Sequence, residues 1–132
     1  MIGLDTNVLL RFLVEDDPKQ SPQAARFIEG AVARQEALFI SDIVMCKAVW
    51  VLDSAYAFSH PEIADVLGNL LRAESVVFPS TDRLASALDA YRRGKGDFAD
   101  YLIREHARAH GADAVATFDK ALLREPGFIA PR

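Results

Sequence analysis

Short apolar runs alternate along this chain with longer stretches whose apolar positions recur at helical spacing. Met1-Ile2-Gly3-Leu4, Ala37-Leu38-Phe39-Ile40, Val76-Val77-Phe78 and Ala114-Val115-Ala116-Thr117-Phe118 read as strands, with Phe128-Ile129 as a short fifth. Asp5-Thr6-Asn7 leads into a helix carrying Val8, Leu9, Leu10, Phe12 and Leu13, which Asp16-Asp17-Pro18 breaks. A second helix is expected from about Ser21 to Arg34. Ser41 and Asp42 cap a third, apolar nearly all round and so expected to be the most buried in the domain. His60-Pro61-Glu62 starts a fourth, Pro79-Ser80-Thr81-Asp82 caps a fifth that reaches Arg93, and Asp97 opens a sixth that stops near His110-Gly111. This alternation predicts an α/β fold, a three-layer α/β/α sandwich with a central parallel sheet of four to five strands.

The helices with Leu9, Leu10, Phe12 and Leu13, and with Val66, Leu67, Leu70 and Leu71, offer more apolar residues than one small core takes up. They are the expected surface for self-association.

Length changes the picture little: 132 residues correspond to one domain, 1–132. At 51% hydrophobic and 26% charged, the composition is that of a globular chain. No apolar stretch reaches the roughly 18 residues that a membrane span needs. No basic leader precedes an apolar segment, and with Cys46 the sole cysteine no internal disulfide can form. A cytoplasmic location is the expectation. The net charge of −4 speaks against a general nucleic-acid coat protein, though not against a nuclease, because a carboxylate site adds acid to the count. Arg92, Arg93 and Lys95, and Arg104 with Arg108, are the candidate contacts to a phosphate backbone.

Four aspartates sit at element ends. Asp5 closes the first apolar run, Asp119 the fourth, and Asp97 and Asp100 open the sixth helix behind Gly94-Lys95-Gly96. Each alone reads as a helix cap. Together they form a pattern, since sites in open α/β sheets form beyond the carboxyl ends of strands. Carboxylates about 4 Å apart repel by about 4 kcal/mol per pair at an effective dielectric near 20. A cation between them relieves that repulsion. Oxygen ligands without histidine or thiolate select Mg²⁺ or Mn²⁺, whose chemistry suits phosphodiester hydrolysis. Strands one and four are then expected to be neighbours. The histidines lack a nucleophile partner, and no Gly-rich phosphate loop is present. Cys46, Trp50 and Tyr56 read as packing residues. A phospho-acceptor signalling domain is disfavoured because Asp5 has no adjacent acid and the third strand runs into Pro79-Ser80. An Asp-x-Asp phosphatase is disfavoured by Asn7.

Asp5-Thr6-Asn7-Val8-Leu9, Val49-Trp50-Val51-Leu52, Asp97-Phe98-Ala99-Asp100-Tyr101-Leu102-Ile103 and Ala116-Thr117-Phe118-Asp119-Lys120 occur in one order across nearly the whole chain. In these four segments the sequence resembles the PIN domains, and among them the ribonuclease toxins of VapBC-type toxin–antitoxin pairs. The resemblance implies metal-dependent cleavage of single-stranded or structured RNA with Mg²⁺ or Mn²⁺. It implies Asp5, Asp100 and Asp119 as metal-binding carboxylates, Asp97 as an auxiliary one, and Thr6, Asn7 and Thr117 in support. A homodimer and a cognate antitoxin, whose C-terminal segment covers the active-site groove, are implied as well.

The sequence departs from that pattern at Lys47, where the family has a glutamate. No carboxylate lies at i±3 or i±4 to stand in, the neighbours being Ile43, Val44, Trp50 and Val51. An unpaired ammonium in apolar surroundings is costly, and pairing with aspartates removes the cost. The expectation is that Lys47 lies among Asp5, Asp100 and Asp119 in the cation's place and depresses their pKa values. The alternative is an ammonium that snorkels to solvent. Two functions follow: a ribonuclease, or a catalytically impaired PIN-like module that binds antitoxin and RNA.

Overall fold

A computed structural model describes residues 1–132. Its strands are shorter than the apolar runs that announce them: β1 Ile2–Gly3, β2 Leu38–Phe39, β3 Val76–Val77, β4 Val115–Ala116 and β5 Phe128–Ile129. Ladder bonds run one residue further, Leu4 N–H to Phe39 C=O and Ile40 N–H to Val77 C=O, both within 3.0 Å. Capping residues then turn the chain into helix, which ends each strand. All pairings are parallel, with Ile2 opposite Leu38, Leu38 opposite Val76, and Val115 opposite Phe128.

The expected sheet of four to five strands is not continuous. The ladder β1-β2-β3 is one sheet and β4-β5 another, and no backbone hydrogen bond joins β1 to β4. The N–H groups of Ile2 and Leu4 point to β2, and those of Val115 and Thr117 point to β5. Each facing edge therefore has one residue left to offer, Gly3 or Ala116. One such pair gains little against the ~1–2 kcal/mol per residue of ordering backbone.

Helix boundaries follow the caps. They are α1 Thr6–Leu13, α2 Gln20–Ala33, α3 Asp42–Ser54, α4 His60–Arg72, α5 Thr81–Arg93 and α6 Phe98–Ala109. Ser41 Oγ accepts from Val44 N–H at 3.1 Å, and Ser80 Oγ from Arg83 N–H at 3.1 Å. Ser59 and Glu62 form a reciprocal capping box at α4. Helix α1 packs on α2 and α3, α3 also on α4 and α6, and α5 lies between α4 and α6. The buried apolar residues form one cluster, from Leu4 and Leu38 in the strands through Leu52, Leu67 and Leu84 to Tyr101 and Phe128.

One expectation about apolar surface is corrected. Helix α3 buries Met45, Ala48, Val49 and Leu52 but leaves Ile43 71% and Trp50 70% exposed, so it is not wholly buried and Trp50 is not core. An α-helix presents one face to a core, and residues 43, 47 and 50 lie opposite the buried set. Conversely, Leu9, Leu10 and Leu67 are buried inside the chain, and Val66, Leu70 and Leu71 are half-buried. Helix α3 thus adds exposed apolar area, at Ile43 and Trp50, to the half-buried residues of the helices the pattern suggested. No helix is long and apolar enough to cross a membrane.

Candidate metal and nucleic-acid site

The acidic end of α6 is built by its own side chains. Asp97 is the N-cap, and its N–H donates to Asp100 Oδ2 at 2.9 Å, while Asp100 N–H bonds the Asp97 carbonyl at 3.0 Å. One oxygen of Asp100 is thus committed to the cap. Asp119 is similar: its Oδ1 accepts from Ala121 N–H at 2.9 Å and from Leu122 N–H at 3.3 Å, starting a short 3-10 turn at Leu122–Arg124. Thr117 Oγ1 holds Asp119 from behind by accepting its N–H at 3.1 Å. Asp5 stands at the N-cap position of α1, yet its carboxylate makes no capping hydrogen bond and is exposed. The adjacent Thr6 hydroxyl is buried and has no partner, an uncommon state for a buried polar atom.

Charge interactions show which acids come together. Burial first, and then the charges of Asp97, Asp119 and Glu125, push the Asp100 carboxyl above its usual range, against the lowering effect of the Asp97 N–H. Asp97, Asp100 and Asp119 therefore share a neighbourhood, and the structure adds Glu125, which the sequence did not single out. Asp5 is not part of that interaction. It opens with Asn7 and Arg11 onto a cleft of about 480 Å³ beside β1, whereas Asp97 lines a separate cleft of about 320 Å³ with Trp50, Asp53, His60 and Tyr91.

The donor set suits a hard divalent cation: all carboxylate and hydroxyl oxygen, with repulsion at Asp100 that no cation of the chain relieves. No three acidic, histidine or cysteine side chains approach closely enough to form a closed cage. An ion here would be held by at most one or two carboxylates directly, with water completing its shell.

The placement expected for Lys47 is corrected. The side chain is exposed and makes no salt bridge or hydrogen bond, and it has no part in setting the Asp100 carboxyl, which is raised and not lowered. On α3 the position faces solvent between Ile43 and Trp50, so the ammonium stays hydrated and needs no carboxylate partner. Arg104 is corrected too. It is 8% exposed, donates to the Pro126 carbonyl at 3.0 Å, and lies 5.3 and 5.5 Å from the ring centres of Tyr101 and Phe128. It braces the fold and is not free for phosphate. Arg92, Arg93 and Arg108 pair with Asp65, Asp89 and Glu105, leaving Lys95 exposed without an ion pair. Cys46 behaves as packing: burial, then Asp42, pushes its thiol up to about 11.

Sequence reasoning also missed Tyr101 and Glu125. Glycines at 94 and 96 ahead of an acidic helix start were the available signal that a bulky group fills the space beside that loop. Nothing in the sequence marked Glu125.

An α/β scaffold of parallel strands with aspartates closing β1 and β4 and opening α6 is the arrangement of a known class. The chain belongs to the PIN domain family, which it matches over residues 2–128. It is similar to the VapC ribonuclease of Aquifex aeolicus (strain VF5), with 27% identity over 117 residues that cover 89% of this chain and 86% of that protein.

Proposed function

We propose that this chain is a metal-dependent endoribonuclease of toxin–antitoxin type, working as a single cytoplasmic domain on single-stranded or structured RNA. Aspartates after β1 and β4 and at the start of α6, in a chain that matches the PIN family, carry this reading, because carboxylates beyond the carboxyl ends of parallel strands suit a divalent cation. Asp100 and Asp119 are the metal-binding groups, with Asp97 auxiliary, and the resemblance to the family adds Asp5 from the cleft beside β1. Thr117 fixes the Asp119 backbone, Thr6 places a buried hydroxyl beside Asp5, and Asn7 shares the Asp5 cleft. Mg²⁺ or Mn²⁺ would polarise a phosphoryl oxygen and acidify water. The chain's part is to hold those carboxylates in place through their backbone hydrogen bonds, and to leave exposed side chains, Lys95, Lys120 and Phe118, for an RNA strand. The partners are RNA, a cognate antitoxin and a second copy of the chain, with α3 offering the apolar face.

Lys47 supports a second reading, a PIN domain that binds antitoxin and RNA without cleaving. At the position where the family has a glutamate, replacing −1 by +1 changes the charge by two units. RNA cleavage and Mn²⁺ titration of the protein and its Lys47→Glu variant decide between them. Restored cleavage and tighter Mn²⁺ binding in Lys47→Glu, with an inert parent, identify the parent as the binding module. Full metal-dependent cleavage by the parent, abolished by Asp5→Ala, establishes the ribonuclease and disposes of the impaired reading.

A further inference from the structure

The cleft of about 320 Å³ beside Asp97 adjoins the acids of α6 but has a chemistry of its own. Its volume is at the lower end of the roughly 300–1,000 Å³ of small-ligand sites, room for one flat ring system. Trp50, 70% exposed, lines it together with the paired rings of His60 and Tyr91, whose centres are 3.8 Å apart. Tyr91 is only 5% exposed, yet its hydroxyl forms no hydrogen bond within the chain. Burial first, then the carboxylates of Asp53 and Asp97, push that hydroxyl up to about 12, so it keeps its proton.

Stability does not account for Asp53. It stands in the last turn of α3, where the helix dipole disfavours negative charge, and it is exposed without an ion pair. The rim carries the opposite charge. Lys47 precedes Trp50 by one turn on the same face of α3, and Lys95 lies two residues ahead of Asp97; both are exposed and unpaired. Rings and acceptors inside with cations at the edge suit a nucleotide, whose neutral base enters while its phosphates stay outside. A cationic peptide would be repelled by the same two lysines.

We infer that this cleft holds one base of a single RNA strand, stacked on Trp50, with Lys47 and Lys95 on the adjoining phosphates. Guanine fits best: its N1–H and N2–H₂ donate to a carboxylate such as Asp53, and its O6 accepts from the Tyr91 hydroxyl. Uracil offers a single N–H between two carbonyls. The inference rests on the RNA reading above and fixes the register of that strand beside the acids. Lys47 then has a function that does not depend on the metal.

Because Trp50 is the sole tryptophan, its fluorescence reports on the cleft. The full chain in EDTA is titrated with the hexaribonucleotides UUUGUU and UUUUUU. UUUGUU should quench the emission and bind roughly tenfold more tightly, the discrimination typical of a two-pronged contact to a base. Asp53→Asn should abolish that preference. Trp50→Ala, read by the anisotropy of fluorescein-labelled RNA, should weaken both oligonucleotides roughly tenfold. Lys47→Ala should reduce the slope of log affinity against log salt by about 0.7, one single-strand phosphate contact. Equal affinity for the two hexamers, or a preference that survives Asp53→Asn, would overturn the inference. So would an arginine hexapeptide that quenches where RNA does not, or an emission that follows protein concentration and ignores RNA, which would give the cleft to a peptide or to a second copy. Metal-dependent RNA cleavage without quenching, untouched by Trp50→Ala, would remove the base pocket and keep the nuclease. Guanine-selective quenching by a chain that cleaves nothing, even as Lys47→Glu, would keep the pocket and remove the nuclease.

Discussion

At the start of α6, the backbone donors around the acids are taken by side chains, whereas on the outer face of α3 the exposed side chains are tied to nothing. Gly96 N–H goes to Tyr101, Asp97 N–H to Asp100, and Asp119 N–H to Thr117. On α3, Ile43, Lys47 and Trp50 share a solvent-facing stripe without a hydrogen bond or ion pair from their side chains. The first region holds like charges in proximity and must be rigid to do so. The second holds apolar area in water and needs no internal constraint. Catalytic geometry belongs to the first kind of surface, and association to the second.

The strongest way to break the first region is to fill the space its interlock occupies. Gly94→Ala puts a methyl group where the Tyr101 hydroxyl sits. Such overpacking typically costs about 1–3 kcal/mol, which urea denaturation will show as a lower midpoint at constant slope. A loss within the scatter of surface substitutions would mean that Tyr101 moves aside freely and that the region is no more rigid than α3.

A subtler test uses protons. Burial foremost, then neighbouring carboxylates, raise the folded-state pKa of Asp100 above its unfolded value. The folded protein therefore binds that proton more tightly. The stability it contributes is fully present below the unfolded value near ~3.9, and is lost as pH rises through the raised folded value. Asp100→Asn imitates the protonated form while keeping an acceptor for Asp97 N–H. The metal-free variant is expected to melt above the parent at pH 7, with the gain disappearing as pH approaches 4. A gain that persists unchanged at low pH would show that charge crowding is not its source. Saturating Mg²⁺ should reverse the order at pH 7, because the cation stabilises only the protein that binds it.

Capping chemistry made the fold legible residue by residue. Ser41, Ser59 and Ser80 start helices where their side chains accept backbone donors, a local property that sequence displays directly. The four aspartates were legible for the same reason, since three of them stand at helix starts. The break between β1 and β4 was not, because it depends on which edge each N–H faces, and apolar runs carry no such register. Trp50 was misplaced because α3 is apolar on several faces, and composition alone does not say which face a neighbour covers. Glu125 stayed hidden because its partner, the Tyr101 hydroxyl, is 24 positions away and only the folded chain joins them. Arg104 resembled a phosphate contact by spacing and was absorbed by two aromatic rings that the fold brings to it.

The smallest effect is expected on α3, and it sharpens the contrast most. Trp50 is 70% exposed, so Trp50→Ala should change the stability of the isolated chain by no more than about 0.5 kcal/mol, as for surface sites in general. Because Trp50 is the sole tryptophan, its fluorescence reports on that face alone. A red-shifted emission at nanomolar concentration that moves to the blue at micromolar concentration would show a second copy covering the stripe. In that case Trp50→Ala should lower the melting temperature only at the higher concentration, since association stabilises by mass action. Emission that stays red at all concentrations would leave α3 a bare face and remove association from the comparison. A large, concentration-independent loss would instead place the indole inside the chain's own packing, and the distinction between the two regions would fall.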